Sequence, residues 1–369
     1  MVSLGAQRSG GPLLGVKIIE FAGIGPVPFA GMLLSDLGAE IVRIDRVGTN
    51  NDLREAVNRG RSFIQVDLKD PDSVEQILDL SESADAIMEG FRPGVMERLG
   101  LGPEKMLERN PGLVYGRMTG WGQYGPLARS AGHDINYISI SGALAAIGTR
   151  NTPVPPLNLV GDYGGGSLYL VMALLAAIIE AKASKQGQVV DVAMCDGAAS
   201  LLSMFSSRLG MGMWDEARSS NVVDGGAHFY NAYECADGKF ISIGAIEPEF
   251  YALLRKLLGM KPAVSGTQNE KSTWPAQKKR LKEIFKKRSR AEWCQLLEAT
   301  DACFAPILTM SEAPMHPQYQ ARNSFIKHNG IEQPAPVPRY SRTVCEVRES
   351  EASCRSLSGI ISSWRSCTS

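Results

Sequence analysis

The sequence predicts an α/β protein, with a parallel sheet and flanking helices in a large domain and a smaller α+β domain behind it. Three observations predict this. From Gly15 short apolar segments alternate with amphipathic stretches of helical period, prolines stand where a first helical turn accepts them, and a later stretch carries a hairpin signal. With 369 residues and 44% apolar content, the chain is long enough for two cores rather than one.

The expected strands are Gly15 to Phe21, Glu40 to Asp45, Phe63 to Leu68, Ala84 to Glu89, Leu113 to Met118 and Gln188 to Val192. Helices are expected over Pro28 to Leu37, Pro71 to Ser81 and Pro103 to Arg109. Strand and helix in strict alternation imply parallel pairing, so the sheet should be Rossmann-like. Residues 1–195 form the N-terminal part of this large domain. Residues 196–232, rich in Ser, Met and Gly, read as a helical connection, and the methionines from Met194 to Met213 suit core packing or dimer contact. Residues 233–320 form the small domain, opening with an Asp-Gly turn inside ECADGKFISIGAI and continuing in a helix from Pro248 to Leu258. The segment Lys278 to Arg290 reads as a solvated helix face. Residues 321–369 return to the large domain and end in an atypical Ser-, Arg- and Cys-rich tail.

Composition excludes several function classes. Lys plus Arg total 39 and Asp plus Glu total 39, so no net field draws the protein to nucleic acid or to an anionic membrane. The longest apolar run, Leu168 to Ile179, is short of the roughly 20 residues of a bilayer span and reads as a buried helix. Neither a secretory signal nor a peroxisomal tripeptide is evident, which makes a cytoplasmic protein the expectation. Seven scattered cysteines and four isolated histidines give no metal-ligand spacing, so no metal is expected.

Four motifs carry chemistry. The first, GIGPVP at Gly23 to Pro28 with Asp45 about 20 residues on, imitates a dinucleotide fingerprint. It fails because Pro28 replaces the third glycine and Pro26 removes a backbone donor. His133, in AGHDINY, follows a strand and turn, where α/β sheets bind ligands; taken alone the motif is weak and favours a structural histidine held by a carbonyl. Asp162, in GDYGGG before a long apolar helix, is either a helix N-cap or a carboxylate base beside glycines that open backbone amides. Glu247, directly before Pro248, is either a helix-start charge or a functional acid.

Together, FAGIGPVPFAGMLLSDLGAEIVRIDR, IMEGFRPGVMERLGLGP, RMTGWGQYGPLARSAGHDINY, PLNLVGDYGGG, DGGAHFYNAYECADG and IGAIEPEFY resemble the alpha-methylacyl-CoA racemases, within the family III CoA transferase fold. The likeness runs in one order from about Leu13 to Thr343. It implies an interlocked homodimer and a 2-methylacyl-CoA thioester substrate, with coenzyme A as part of the substrate and no further cofactor. By motif correspondence it makes His133 and Asp162 the two acid/base residues. Glu247 would be an acidic partner of the histidine, reaching it across the dimer. Arg46, Val66, Asp67, Leu68, Lys69, Arg92 and Arg98 correspond to positions around the coenzyme A nucleotide. Gly132, Asp134, Ile135, Asn136 and Tyr137 surround the reacting thioester, and the amides there and at the Gly164 to Gly166 helix start are expected to stabilise an enolate.

The resemblance implies racemisation through 1,1-proton transfer. A CoA transferase using Asp162 as a nucleophile is the alternative on the same fold, and a silent CoA-binding protein is a third. Related chains close with an acidic amphipathic helix, from which VCEVRESEASCRSLSGIISSWRSCTS departs, so the closing of the large domain is left to the structure.

Overall fold

Six strands pair into one parallel sheet in the computed structural model, which describes residues 8–264, 266–350 and 356–366. They are β1 (Lys17–Phe21), β2 (Glu40–Arg46), β3 (Arg61–Val66), β4 (Ala86–Glu89), β5 (Val114–Thr119) and β6 (Val189–Ala193). Their spatial order is β3-β2-β1-β4-β5-β6, the doubly wound order of Rossmann-type sheets, and all neighbours run parallel. The strands lie where the alternation of the sequence places them, with small shifts at the ends.

Both faces of this sheet are covered, and the sequence shows why. In β1, KIIEF, every residue is buried, with Ile18 in one hydrophobic layer and Ile19 in the opposite one. Glu20 tolerates its place between them because Arg61 of β3 approaches its carboxylate at 2.9 Å.

The helices of this unit are α1 (Pro26–Asp36), α2 (Pro71–Ser81), α3 (Val95–Arg98), α4 (Pro103–Arg109), α5 (Asp134–Ile140), α6 (Leu168–Ser184) and α7 (Met194–Leu201). Pro26, Pro71 and Pro103 all open their helices, and Asp70 caps α2 by accepting the Ser73 amide at 3.0 Å. Residues of α1 and α6 pack in the Ile18 layer; those of α2 and α4 pack in the Ile19 layer. The helical stretch 159–184 is long and apolar enough to cross a membrane by length and composition alone. Its Leu170, Leu174, Ala177, Ile178 and Ala181 are nevertheless buried in the sheet's core.

The chain divides into two compact units. Residues up to 141, 156–202 and from 321 onward make the first, and 142–155 with 203–320 make the second. The stretch 196–232 is therefore no separate connection: α7 belongs to the first unit and a helix over Ser203–Gly210 to the second. Residues 142–155, placed in the large domain by the sequence reading, also belong to the second unit.

Within that second unit β7 (Tyr230–Glu234), β8 (Phe240–Gly244) and β9 (Phe304–Ile307) form an antiparallel sheet with β8 in the middle. The β7-β8 hairpin turns at Gly238, whose φ of 74° needs glycine. Helices α8 (Pro248–Leu257), α9 (Trp274–Phe285) and α10 (Arg290–Leu297) complete it around a core of Phe229, Tyr233, Trp274, Phe285 and Trp293. The basic stretch 278–290 is not one helix face. It crosses the end of α9, and Ser289 then caps α10 by accepting the Glu292 amide; Lys278 is partly buried, donating to the Gly225 carbonyl at 2.6 Å.

The atypical tail closes the first unit. Thr343 and Val344 pair parallel with Arg8 and Ser9, and α11 (Leu357–Ser366) packs on α2. Leu357, Ile360, Ile361 and Trp364 recur at helical spacing and are all buried in the Ile19 layer, so the amphipathic period survives although the acidic residues do not.

Candidate active site

The strand order reverses between β1 and β4, and the loops leaving the carboxyl ends of β1, β4 and β5 open a crevice there. A cavity of about 520 Å³ fills it, lined by Gly25, Arg92, Trp121, His133, Asn158 and Asp162 among others. Residues 24–27, 90–93 and 118–121 bring the three loops, so the sheet topology itself sets the site.

His133 reaches this cavity as the N-cap of α5 and is exposed. Its own amide donates to Asn136 Oδ1 at 3.0 Å, which fixes the chain direction on entering the helix. Gly132 before it accepts the Tyr137 hydroxyl, and the tyrosine ring stands edge-on to Trp121 at 4.7 Å. A side chain at Gly132 would collide with both rings, so glycine is required for the approach.

Asp162 lines the same cavity, but not as the N-cap the sequence allowed. The chain enters a π-helical stretch at Leu159 that runs through Ser167 directly into α6, so Asp162 sits inside a wide helical turn. Asn158, four residues earlier, donates to Asp162 Oδ2 at 3.2 Å, and the Asp162 amide donates to Asp134 Oδ1 at 2.7 Å. Burial raises the Asp162 pKa above the usual carboxylate range; the Asn158 bond opposes this, the Asp134 charge adds to it and the His133 charge opposes it.

The glycines that follow have another role than the one expected. Gly164, Gly165 and Gly166 lie within the helical stretch, so they are no helix start with free amides. A Cβ on Gly165 would stand 2.6 Å from the Ala198 amide, and one on Gly197 would stand 1.9 Å from the Gly165 carbonyl oxygen. The π-helical stretch and α7 therefore pack backbone to backbone. Gly197→Ala is expected to cost about 1–3 kcal/mol through overpacking and to displace Asp162, read as a lower thermal midpoint together with a reduced rate.

Of the remaining expected ligand residues, Arg92, Gly132 and Tyr137 line the cavity. Asp134, Ile135 and Asn136 do not; Asp134 is buried behind it, and Asn136 holds the amide of His133. Arg46 and Val66 end β2 and β3, with Asp67, Leu68 and Lys69 in the turn after β3, all at the carboxyl edge of the sheet outside the cavity lining. Arg98 is exposed on α3. Glu247 lies on the second unit, exposed at the N-cap of α8, and is not among the lining residues. Asp45 of the discarded fingerprint is buried and accepts from Asn51 Nδ2 at 2.9 Å and Arg43 Nε at 3.1 Å, so no ribose could take it.

The sequence reading missed Asn158 and Glu89. The spacing of Asn158 and Asp162, i and i+4 on one helix face, was the available signal for the first. Glu89 is buried at the end of β4, accepting the Phe91 amide at 2.7 Å and Arg117 Nε at 3.0 Å, and so clamps the loop that carries Arg92. Burial pushes its carboxyl up to about 7. Between its ordinary value and about 7 the folded protein binds a proton that the unfolded chain does not, so this group lowers stability as pH rises through that window. Glu89→Gln should remove about 3 kcal/mol of that slope, visible as a thermal midpoint that gains on the wild type from pH 5 to pH 8.

Comparison with known proteins places the chain in a family. Residues 13–352 match CoA-transferase family III. The alpha-methylacyl-CoA racemase of Mus musculus is 44% identical over 333 residues, covering 90% of this chain and 87% of that protein. The racemase of the same description from Homo sapiens is 40% identical over 328 residues, covering 88% and 86%. A crystal structure of a CAIB/BAIF family protein from Brucella suis, at 24% identity, superposes with a TM-score of 0.80 over 98% of this chain and 100% of that one, a likeness of fold.

Proposed function

We propose that this chain, which belongs to CoA-transferase family III and is similar to the two racemases named above, interconverts the (R) and (S) epimers of 2-methylacyl-CoA thioesters by 1,1-proton transfer. The observation that carries the reading is the convergence of His133 and Asp162, from distant stretches of sequence, on one cavity at the sheet's switch point. Epimerisation needs a group on either face of the reacting carbon: one removes the α-proton, and the other delivers a proton to the opposite face of the planar enolate. A single base would return the proton to the face it came from.

Asp162, with its pKa raised by burial, holds a proton more readily than an exposed carboxylate and so suits both halves of the reversible exchange. Oxidation state does not change, so the reaction requires no redox cofactor.

Arg92 on the cavity, with Arg46, Lys69 and Arg98 exposed near the same edge of the sheet, suits the phosphates of coenzyme A. Arg92→Ala is expected to raise KM for acyl-CoA about 10-fold with kcat little changed, checked by initial-rate kinetics. Glu247 would join His133 from a second copy of the chain. Exposed Leu168, Met172 and Ile179 on α6 support association of this kind.

The test is incubation of each 2-methylacyl-CoA epimer in deuterated water. Label entering the α-carbon from either epimer, with interconversion, is the expected result. Transfer of coenzyme A to an added free acid without α-exchange would make Asp162 a nucleophile and the protein a transferase. Binding of coenzyme A with neither reaction would leave only a binding protein.

A further inference from the structure

We propose that Asp134 is a positioning residue that couples the two acid/base groups, rather than a ligand contact. The inference rests on the racemase reading for its rate effects, but its geometry stands independently. Asp134 follows His133 directly and opens α5, with its side chain turned away from the cavity and the residue only 7% exposed. Its Oδ1 accepts the amide of Asp162 at 2.7 Å. One residue thus ties the backbone bearing one base to the amide of the other.

The contact is built for this purpose. Gly161, immediately before Asp162, leaves the room: a Cβ there would stand 2.5 Å from Asp134 Oδ1. The second oxygen, Oδ2, is buried with no hydrogen-bond partner among the described residues. An unpaired buried acceptor is costly to keep. Its retention beside Asp162 has a function if the charge is wanted there, where it opposes ionisation of Asp162.

The other groups around Asp162 leave that role to Asp134. His133 and Tyr137 come from α5, and Asn158 from the stretch that holds Asp162 itself. Cys195 and Asp196 come from α7, and Tyr169 from α6, where its hydroxyl donates to Ser200 at 2.8 Å. Arg92 lines the same cavity from the loop after β4. Of these, His133 and Asp134 are the charged groups that act on Asp162.

Two variants test the proposal. In Asp134→Ala the Asp162 amide loses its acceptor, and misplacement of about 1 Å lowers kcat for epimer interconversion about 100-fold, with KM nearly unchanged. In Asp134→Asn an oxygen still accepts that amide, so most of the rate returns, while the acid limb of the kcat/KM profile moves to lower pH because the charge opposing Asp162 ionisation is gone. A carboxyl NMR titration of Asp162 in the ligand-free Asp134→Asn protein should show the same downward shift, and it reads the coupling whether or not the substrate is right. Equal rates in both variants with an unshifted profile and titration would overturn the proposal, as would a rise in KM alone. Absence of α-exchange in the wild type would instead remove the racemase reading, with the titration still deciding the coupling.

Discussion

Asp162→Asn should lower epimer interconversion by about 10²–10⁴-fold while coenzyme A affinity is kept, because the substitution preserves shape and removes only the proton-transfer group. The loss should be one-sided in a telling way. His133 remains on the cavity, so the epimer that presents its α-proton to the imidazole should still exchange label with deuterated solvent, without inverting, whereas the other epimer should be inert. His133→Ala should give the mirror result. In the wild type the limb of the pH profile that reports Asp162 should lie above the ordinary carboxylate range, since burial raises its pKa, and in Asp162→Asn that limb should disappear. Separate monitoring of each epimer by mass spectrometry and chiral chromatography checks all of this. Equal loss of exchange from both epimers would mean that the two groups do not act on opposite faces.

Trp364→Ala should have the largest effect on stability, about 3–5 kcal/mol. The indole is 1% exposed between the sheet layer and α2, its Nε1 donates to Glu40 Oε1 at 2.8 Å, and the Trp364 carbonyl accepts Lys17 Nζ at 2.6 Å. Truncation opens a cavity, strips Glu40 of its indole donor and removes the ring face 5.9 Å from the Lys17 amine, while the backbone carbonyl that accepts that amine stays. Hydrogen exchange resolved by segment is the suitable measurement, because a chain with two compact units need not unfold in one step. Protection should fall in α2 and α11 first. A change below about 1 kcal/mol would mean that the tail helix adds little to the core.

Much of the fold was legible because parallel sheets write themselves plainly: strands buried on both faces are rich in β-branched and aromatic residues, as Ile18, Ile19 and Phe21 are in KIIEF, and proline marks the helix starts. The tail was harder. Its composition departs from that of related chains, and only the spacing of Leu357, Ile360, Ile361 and Trp364 carried the signal that it buries one face. Arginines show the limit most clearly. Arg43, Arg59, Arg61 and Arg117 are buried in ion pairs, while Arg46, Arg92 and Arg98 are exposed at the sheet's edge, and no local pattern separates the two groups.

By itself, the sequence determined the sheet, its parallel pairing and the order of helix and strand. Those properties follow from periodicity and from side-chain chemistry, which are local. Tertiary structure alone decided that His133 and Asp162 share a cavity, that Asp162 sits inside a π-helical turn rather than at a helix cap, and that Asp134 meets its amide outside the cavity lining. The physical reason is that these are relations between elements. They depend on where β1 and β4 diverge and on how closely the glycines of 164–166 and 197 let two helices approach, and neither distance is written in the spacing of residues along the chain.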